Sequence, residues 1–276
     1  MKKTIIALAA ALAFAACDKI STDQYVLFAG SVAQWADGTP VATPVQRAHV
    51  DKYTGPKCSN CPTADITLEA ALATHGDRMT LIAVNHPSAQ GLPYPNEPDL
   101  RTSHGTAWVQ FYGITGIPAA LLNRNTASTF SGSMPSISGA IADAIAQQPT
   151  LALEVEAAAE GSSVTIDVNM QFLADIAEPL TLTLALTEDS LAYKQLLPDA
   201  SVNPTYVHNH MLRDVVTDTW GTPVEAQGRS GECRKATFRY APSNPDIKLE
   251  NCHIVALVSY KESRQIVNCA ECHISH

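Results

Sequence analysis

Apolar spacing divides the chain into two textures. From residue 46 to 149, short apolar runs alternate with segments of helical spacing. Residues 48–53 predict a short strand. Met79–Asn85 (MTLIAVN) is a continuous apolar run, the pattern of a strand covered on both faces. Ala119–Leu122 predicts a third strand. Between them, residues 59–74 place Ile66, Leu68, Ala70, Leu72 and Ala73 along an imperfect apolar face, and Gly76 stops that helix. Asp99 reads as the N-cap of a helix running to about Tyr112. Ser133 and Pro135 open a last helix, with Ile137, Ile141 and Ile145 at four-residue spacing. This alternation predicts an α/β layer built on a central sheet.

After Pro149 the period becomes two. Leu151, Leu153 and Val155 alternate with small or polar residues. So do Val164, Ile166, Val168 and Met170, and then Leu180, Leu182, Leu184 and Leu186. Glu160-Gly161-Ser162 reads as a turn. Further strands are predicted over 205–213, 234–240, 253–260 and 265–274. Seven strands in this span are the pattern of an immunoglobulin-like β-sandwich. The expected fold class is therefore an α/β domain, residues 46–149, followed by an all-β sandwich, residues 150–276.

The N-terminus has a different texture. Lys2 and Lys3 precede a short apolar run from Ile5 to Phe14, too short to span a bilayer and followed by small residues. Phe14-Ala15-Ala16-Cys17 is similar to a bacterial lipobox, in which Cys17 becomes the first residue and carries lipid. Cleavage at an Ala-x-Ala site such as Ala13-Phe14-Ala15 is the alternative. Residues 1–17 are thus expected to be a lipoprotein signal peptide. Residues 18–45, polar with weak periodicity, read as a linker with one short strand over 25–29.

Length and composition set the remaining bounds. The 276 residues suffice for two domains, and 46% hydrophobic residues suffice for real cores. A net charge of −9 without a Lys/Arg cluster excludes nucleic acid as a partner class. There is no 18-residue apolar run to cross a membrane. Of seven cysteines, an acylated Cys17 would leave six, an even number suited to an oxidising compartment.

The chemistry concentrates at Cys58-Ser59-Asn60-Cys61-Pro62. A cysteine at a helix start meets unpaired N–H groups and the positive end of the macrodipole, both of which favour thiolate. Cys58 would then attack, and Cys61 would resolve the mixed disulfide. A structural disulfide and half of a zinc site are the alternatives, although no second Cys/His pair for zinc lies in the same domain. No metal and no cofactor is expected. Four further cysteines, Cys233, Cys252, Cys269 and Cys272, are disulfide candidates, with Cys252 placed near Cys272 across a hairpin. Cys269-Ala-Glu-Cys272-His273 also matches the c-type haem attachment pattern, but on an extended strand its two cysteines point to opposite faces. His86, at the end of a buried strand, could tune the cysteines or cap a loop. His208 and His210, two apart on one strand, would share a face in a structural or interface role.

About sixty residues after the cysteine pair stands Tyr112-Gly-Ile-Thr-Gly-Ile117-Pro118-Ala-Ala-Leu-Leu122. This segment resembles thioredoxin, whose fold sets a cis-proline loop against the Cys-x-x-Cys helix. The resemblance implies a cis Ile117–Pro118 bond, with Ile117 offering its backbone to a substrate strand and Pro118 shaping the groove. Thioredoxin also carries a buried acid six residues before its first cysteine. Here Lys52 holds that position, with Asp51 beside it, and the proton acceptor for Cys61 is left open.

Taken with Asp51-Lys52-Tyr53 ahead of the cysteines, Asp99-Leu-Arg-Thr102, Leu122-Asn-Arg124 and Tyr206-Val-His-Asn-His-Met-Leu-Arg213, the chain resembles the Omp28-related outer-membrane lipoprotein family of Bacteroidetes from residue 45 to the end. That resemblance implies a thioredoxin-like domain followed by an immunoglobulin-like one, lipid-anchored at the outer membrane, in a family described in terms of surface adhesins or receptors. Two functions are expected to compete. One is thiol–disulfide exchange on a cysteine-containing envelope or surface protein. The other is non-catalytic surface binding with a static disulfide.

Overall fold

The structure, a computed structural model, describes residues 32–276. The signal peptide, Cys17 and the strand expected over 25–29 lie outside the described residues. No helix among the described residues is long and apolar enough to cross a membrane.

The elements run β1 (Gln34–Asp37), β2 (Ala48–Thr54), α1 (Cys61–His75), β3 (Met79–Asn85), α2 (Ser103–Phe111), β4 (Ala119–Leu122), β5 (Thr129–Ser131) and α3 (Ile137–Ile145). They continue as β6 (Leu151–Glu160), β7 (Ser163–Phe172), β8 (Leu180–Glu188), β9 (Leu191–Leu196), β10 (Val202–His208), β11 (Met211–Val215), β12 (Thr222–Pro223), β13 (Cys233–Tyr240), β14 (Cys252–Tyr260) and β15 (Ile266–His273). The protein is mixed α/β, with one mixed sheet containing parallel strands and a separate antiparallel sheet. The mixed sheet has the order β15-β14-β8-β11-β3-β2-β4-β5, with β12 beside β8. β3 is parallel to both β2 and β11, and the other neighbours are antiparallel. This sheet runs through the change of texture at Pro149. Its two halves meet at a narrow seam, where Met211 stands opposite Ala83 and the Ala83 N–H donates to His210 O at 2.7 Å.

The apolar pattern explains the layers. Alternate residues of a strand face opposite sides. Val50, Leu81, Ala120 and Leu122 face α1 and α3, packing on Ala64, Leu68, Ile137 and Ile141. Tyr53, Ile82, Val84 and Leu121 face the other way, onto Trp108 and Val109 of α2. In the second half, β8 and β14 set Leu182, Leu184, Leu186, Ile254 and Ala256 against Leu153, Val164, Ile166 and Phe238 of the four-stranded sheet β1-β13-β7-β6. The β6–β7 hairpin turns at Gly161, whose φ of 65° suits a residue without Cβ.

Several predicted boundaries move. α1 begins at Cys61, with Asn60 as its N-cap, two residues later than expected. α2 is capped by Thr102, whose hydroxyl accepts from Gly105 N–H at 2.9 Å. Asp99 is not that cap; its carboxylate binds the Arg101 backbone N–H and guanidinium. The last helix begins at Ile137, past Ser133 and Pro135. The strand predicted over 205–213 is broken, because His210 has a φ of 57° and turns the chain out of one sheet into another. His208 and His210 therefore do not share a face. Of the segment read as linker, β1 pairs with β13, and Val41 is buried with its N–H on Gln171.

Candidate functional site

Cys58 and Cys61 are joined in a disulfide, with Cα atoms 5.4 Å apart and each residue only 1% exposed. Cys61 is the first helical residue. Cys58 sits in the preceding turn, where its N–H donates to Gly55 O at 3.1 Å and its carbonyl accepts from Cys61 N–H at 3.3 Å. Pro62 falls in the first turn, where its missing N–H costs little. The Pro/Gly-rich loop after β3 packs its backbone directly onto this turn: Lys57 N–H donates to Gln90 O at 2.9 Å.

A groove opens beside the pair. Asn60 lines it together with Thr115, Ile117, Pro118, Thr129 and Ser131. The Ile117–Pro118 peptide is cis. His86 braces the loop before it: its Nε2 bonds Ile114 O at 3.0 Å and its Nδ1 accepts from Ser88 N–H at 3.1 Å. These two bonds fix the ring as a loop cap and leave no nitrogen for the cysteines.

Lys52, in the position expected for an acid, pairs with an acid instead. Its Nζ lies 2.6 Å from Asp65 Oδ1, and the Tyr206 hydroxyl donates to Asp65 Oδ2 at 2.7 Å. Asp65 stands four residues after Cys61, so the two share a face of α1. His208 lies alongside, held at a pKa of about 4 by burial and then by the Lys52 charge. On the opposite face of β2, Asp51 is fully buried. It accepts from Arg124 Nε at 2.9 Å and from His49 Nε2 at 3.1 Å. Burial opposes that carboxylate, but Arg124 and His49 outweigh it and hold its pKa well below the usual range. The Arg124 guanidinium also lies over the Trp108 ring, 4.1 Å from its centre.

Among the described residues, Cys233, Cys252, Cys269 and Cys272 are unbridged. Cys272 stands opposite Ile254, two positions from Cys252 along the β14–β15 ladder, and both face the sandwich core. Cys269 faces α2, on the other side of the sheet from Cys272, so the Cys-x-x-Cys-His segment does not present its two cysteines together. Cys233 lies on the separate sheet.

Sequence reasoning missed the contribution of the second half. The β9–β10 hairpin lies over the cysteine turn: Gln195, 2% exposed, donates from Nε2 to Cys58 O at 2.9 Å, and Leu196 N–H donates to Pro56 O at 2.8 Å. Asp65 was recoverable from its four-residue spacing to Cys61. Nothing local marks Gln195, and the segment that carries Tyr206 gives no sign that its hydroxyl reaches Asp65.

Fold and site together define a mixed α/β protein with a disulfide-bonded Cys-x-x-Cys pair at a helix start. Residues 106–276 match the family model described as Outer membrane protein Omp28, and the chain belongs to that family, which places it at the outer membrane. HBP35 of Porphyromonas gingivalis superposes with a TM-score of 0.65 at 17% identity, over 84% of this chain and 76% of that one. Protein AGR_C_4864 of Agrobacterium tumefaciens superposes at 0.50 and 16% identity, over 85% and 97%. A domain of the outer membrane lipoprotein Omp28 from Porphyromonas gingivalis gives 0.33 at 17% identity, over 47% and 91%. A search of the curated proteins finds no match.

Proposed function

We propose that this outer-membrane protein performs thiol–disulfide exchange on cysteine-containing envelope or surface proteins. In this reading residues 46–149 are a thioredoxin-like domain, residues 150–276 an immunoglobulin-like one, and Cys17 carries the lipid anchor. The observation that carries the proposal is the placement of the Cys58–Cys61 disulfide at the start of α1, where Asn60, between the two cysteines, lines the same groove as the Ile117–Pro118 loop. Cys58 and Cys61 are the reacting residues, Pro118 shapes the groove, and Ile117 offers its backbone to an extended partner strand.

The exchange balances without a further cofactor. A partner thiolate attacks Cys58 Sγ, the Cys58–Cys61 bond breaks, and Cys61 leaves as a thiolate that takes up a proton. A second partner thiolate then attacks the partner sulfur of the mixed disulfide, expelling Cys58 as a thiolate. The partner is oxidised by two electrons and the protein pair reduced by two; the reverse sequence reduces a partner disulfide. Asp65, one turn along from Cys61, is the nearest carboxylate on that helix face to exchange the Cys61 proton, directly or through water.

The burial of both cysteines favours a second reading, a static disulfide in a non-catalytic binding protein. Cys61→Ser in the full chain separates the two. Under the exchange reading it accumulates mixed disulfides between Cys58 and envelope proteins, lost on adding Cys58→Ala. If no adduct forms, and the wild-type pair is reduced only in denaturant, the binding reading holds. Palmitate labelling lost in Cys17→Ala tests the anchor.

A further inference from the structure

One element packs directly on the backbone of the turn that carries Cys58. β9 and β10 form a two-stranded ribbon outside both larger sheets. Its root is apolar: Leu191 packs with Ala83, Leu100 and Met211, and Tyr193 rests against them. Its outer part is held to the redox turn by polar contacts instead. Gln195 Nε2 donates to Cys58 O at 2.9 Å and approaches Gly55 O at 3.4 Å, and Leu196 N–H donates to Pro56 O at 2.8 Å. On the root side of the ribbon, opposite Tyr193, the Tyr206 O–H donates to Asp65 of α1 at 2.7 Å. Between Asn203 and Tyr206 the ladder slips, next to Pro204, which cannot donate to it. An apolar root, a ladder irregularity and a polar-latched outer part make a flap: the outer contacts can exchange for water while the root stays packed. The groove on the Pro118 side is lined by no residue of this ribbon.

We infer that the β9–β10 hairpin is the selectivity element of the redox pair. It covers Cys58, with Gln195 as its latch, so that only a partner able to displace the hairpin reaches the sulfur while the Pro118 side of the groove stays open. The biological meaning of this cover rests on the exchange reading, but its physical content does not. A small reductant must wait for the hairpin to open, so the rate of reduction reads the latch directly.

The test uses the full chain with its free thiols blocked first. Reduction by a water-soluble phosphine is followed by alkylation, and Cys58 and Cys61 modification is timed by mass spectrometry. The wild-type disulfide should be reduced more slowly than the same bond in an oxidised peptide of sequence KCSNCP. Gln195→Ala should accelerate reduction about tenfold, the effect of losing one buried hydrogen bond near the upper end of the usual range. Tyr206→Phe, which keeps the ring and removes only the donor to Asp65, should accelerate it by a smaller factor with the far-UV spectrum unchanged. Reduction of the wild type at the peptide rate, or folded variants that both react at the wild-type rate, overturns the cover. Trapping by Cys61→Ser is read separately: fast reduction in the variants with no trapped partner ends the exchange reading and leaves the cover standing. Trapped partners with unchanged reduction rates do the reverse.

Discussion

Replacing Arg124 by methionine tests the buried ion pair on β2, the strand that leads into the cysteine turn. Arg124 and Asp51 have side chains 2% and 0% exposed, and without the guanidinium the carboxylate keeps only His49 as a side-chain donor. Stripping one partner from a buried pair costs about 3–5 kcal/mol, because the other charge stays desolvated. The lost cation–π contact with Trp108 adds on the order of 1 kcal/mol. For a chain of this size each kcal/mol lowers the melting temperature by about 2–4 °C, so a fall of roughly 6–20 °C is expected from the ion pair alone. Urea unfolding at neutral pH, followed by tryptophan fluorescence and far-UV circular dichroism with the disulfide kept oxidised, measures the free-energy loss, and a thermal scan of the same samples measures the fall in melting temperature.

The pH dependence of this variant has a definite sign. In the wild type the folded pKa of Asp51 is depressed, so its stabilisation is complete above the unfolded value of about 3.9 and is lost as pH falls through the folded value. In Arg124→Met burial acts almost unopposed, and protonating Asp51 relieves the cost. The deficit should therefore be largest near neutrality and narrow as pH falls through about 4. The double variant Asp51→Asn with Arg124→Met leaves no buried charge and should be more stable than Arg124→Met. A neutral-pH loss below about 1 kcal/mol, or a double variant as unstable as the sum of its parts, would refute the reasoning.

Three further outcomes are expected. A Cβ on Gly91 would meet His86 O at 1.7 Å, so Gly91→Ala must distort the loop that carries both residues and cost about 1–3 kcal/mol; a Cβ on Gly139 meets nothing within 4 Å, so Gly139→Ala in α3 should be neutral or stabilising by up to about 1 kcal/mol in the same unfolding experiments. Burial pushes the Cys252, Cys269 and Cys272 thiols up to about 12, so native maleimide labelling at pH 8 should fall on Cys233 first, and Cys269 reacting as fast would contradict the packing. Burial raises the Glu271 carboxyl to about 7, above the unfolded value of about 4.3, so this group's stabilisation is present below about 4.3 and is lost as pH rises toward 7. Glu271→Gln should flatten that part of the stability–pH curve, and an unchanged slope would exclude the group.

The parts of the fold legible in the sequence are those fixed by local spacing. Met79–Asn85 and Ala119–Leu122 form strands with the predicted bounds, since continuous apolar runs leave no polar face to misplace. The period-two runs of β6, β7 and β8 are likewise where alternation put them. Illegible were features set by single backbone angles or distant partners. Alternation over 205–213 looks continuous, yet His210 adopts a left-handed conformation with its N–H on Asp189, and one strand becomes two. β9 carries Leu191 and Gln195 inward with exposed or half-buried residues between, too irregular for a period-two pattern. Asp99 looked like a cap because aspartate caps well, but Thr102 is nearer the helix and took the role. At the site, the cysteine spacing and the Pro118 loop were readable; the hairpin above them was not, because it arrives from more than 130 residues away.

The residues that carried the family resemblance are mostly braces. Asn123 holds His49 by two bonds of 2.7 Å, Arg124 holds Asp51, Tyr206 holds Asp65, and Arg213 Nη1 lies 2.8 Å from the fully buried Glu188. Each joins two segments distant in sequence, and Tyr206 ties the second half of the chain to α1 of the first. The family match itself begins at residue 106. It contains the Pro118 loop and the β9–β10 hairpin, and it leaves out Cys58 and Cys61. Family membership and the proposed exchange chemistry thus rest on different residues. A relative could keep every brace within the matched span and still lack the cysteine pair, so the exchange reading depends on trapping at Cys58 and not on membership.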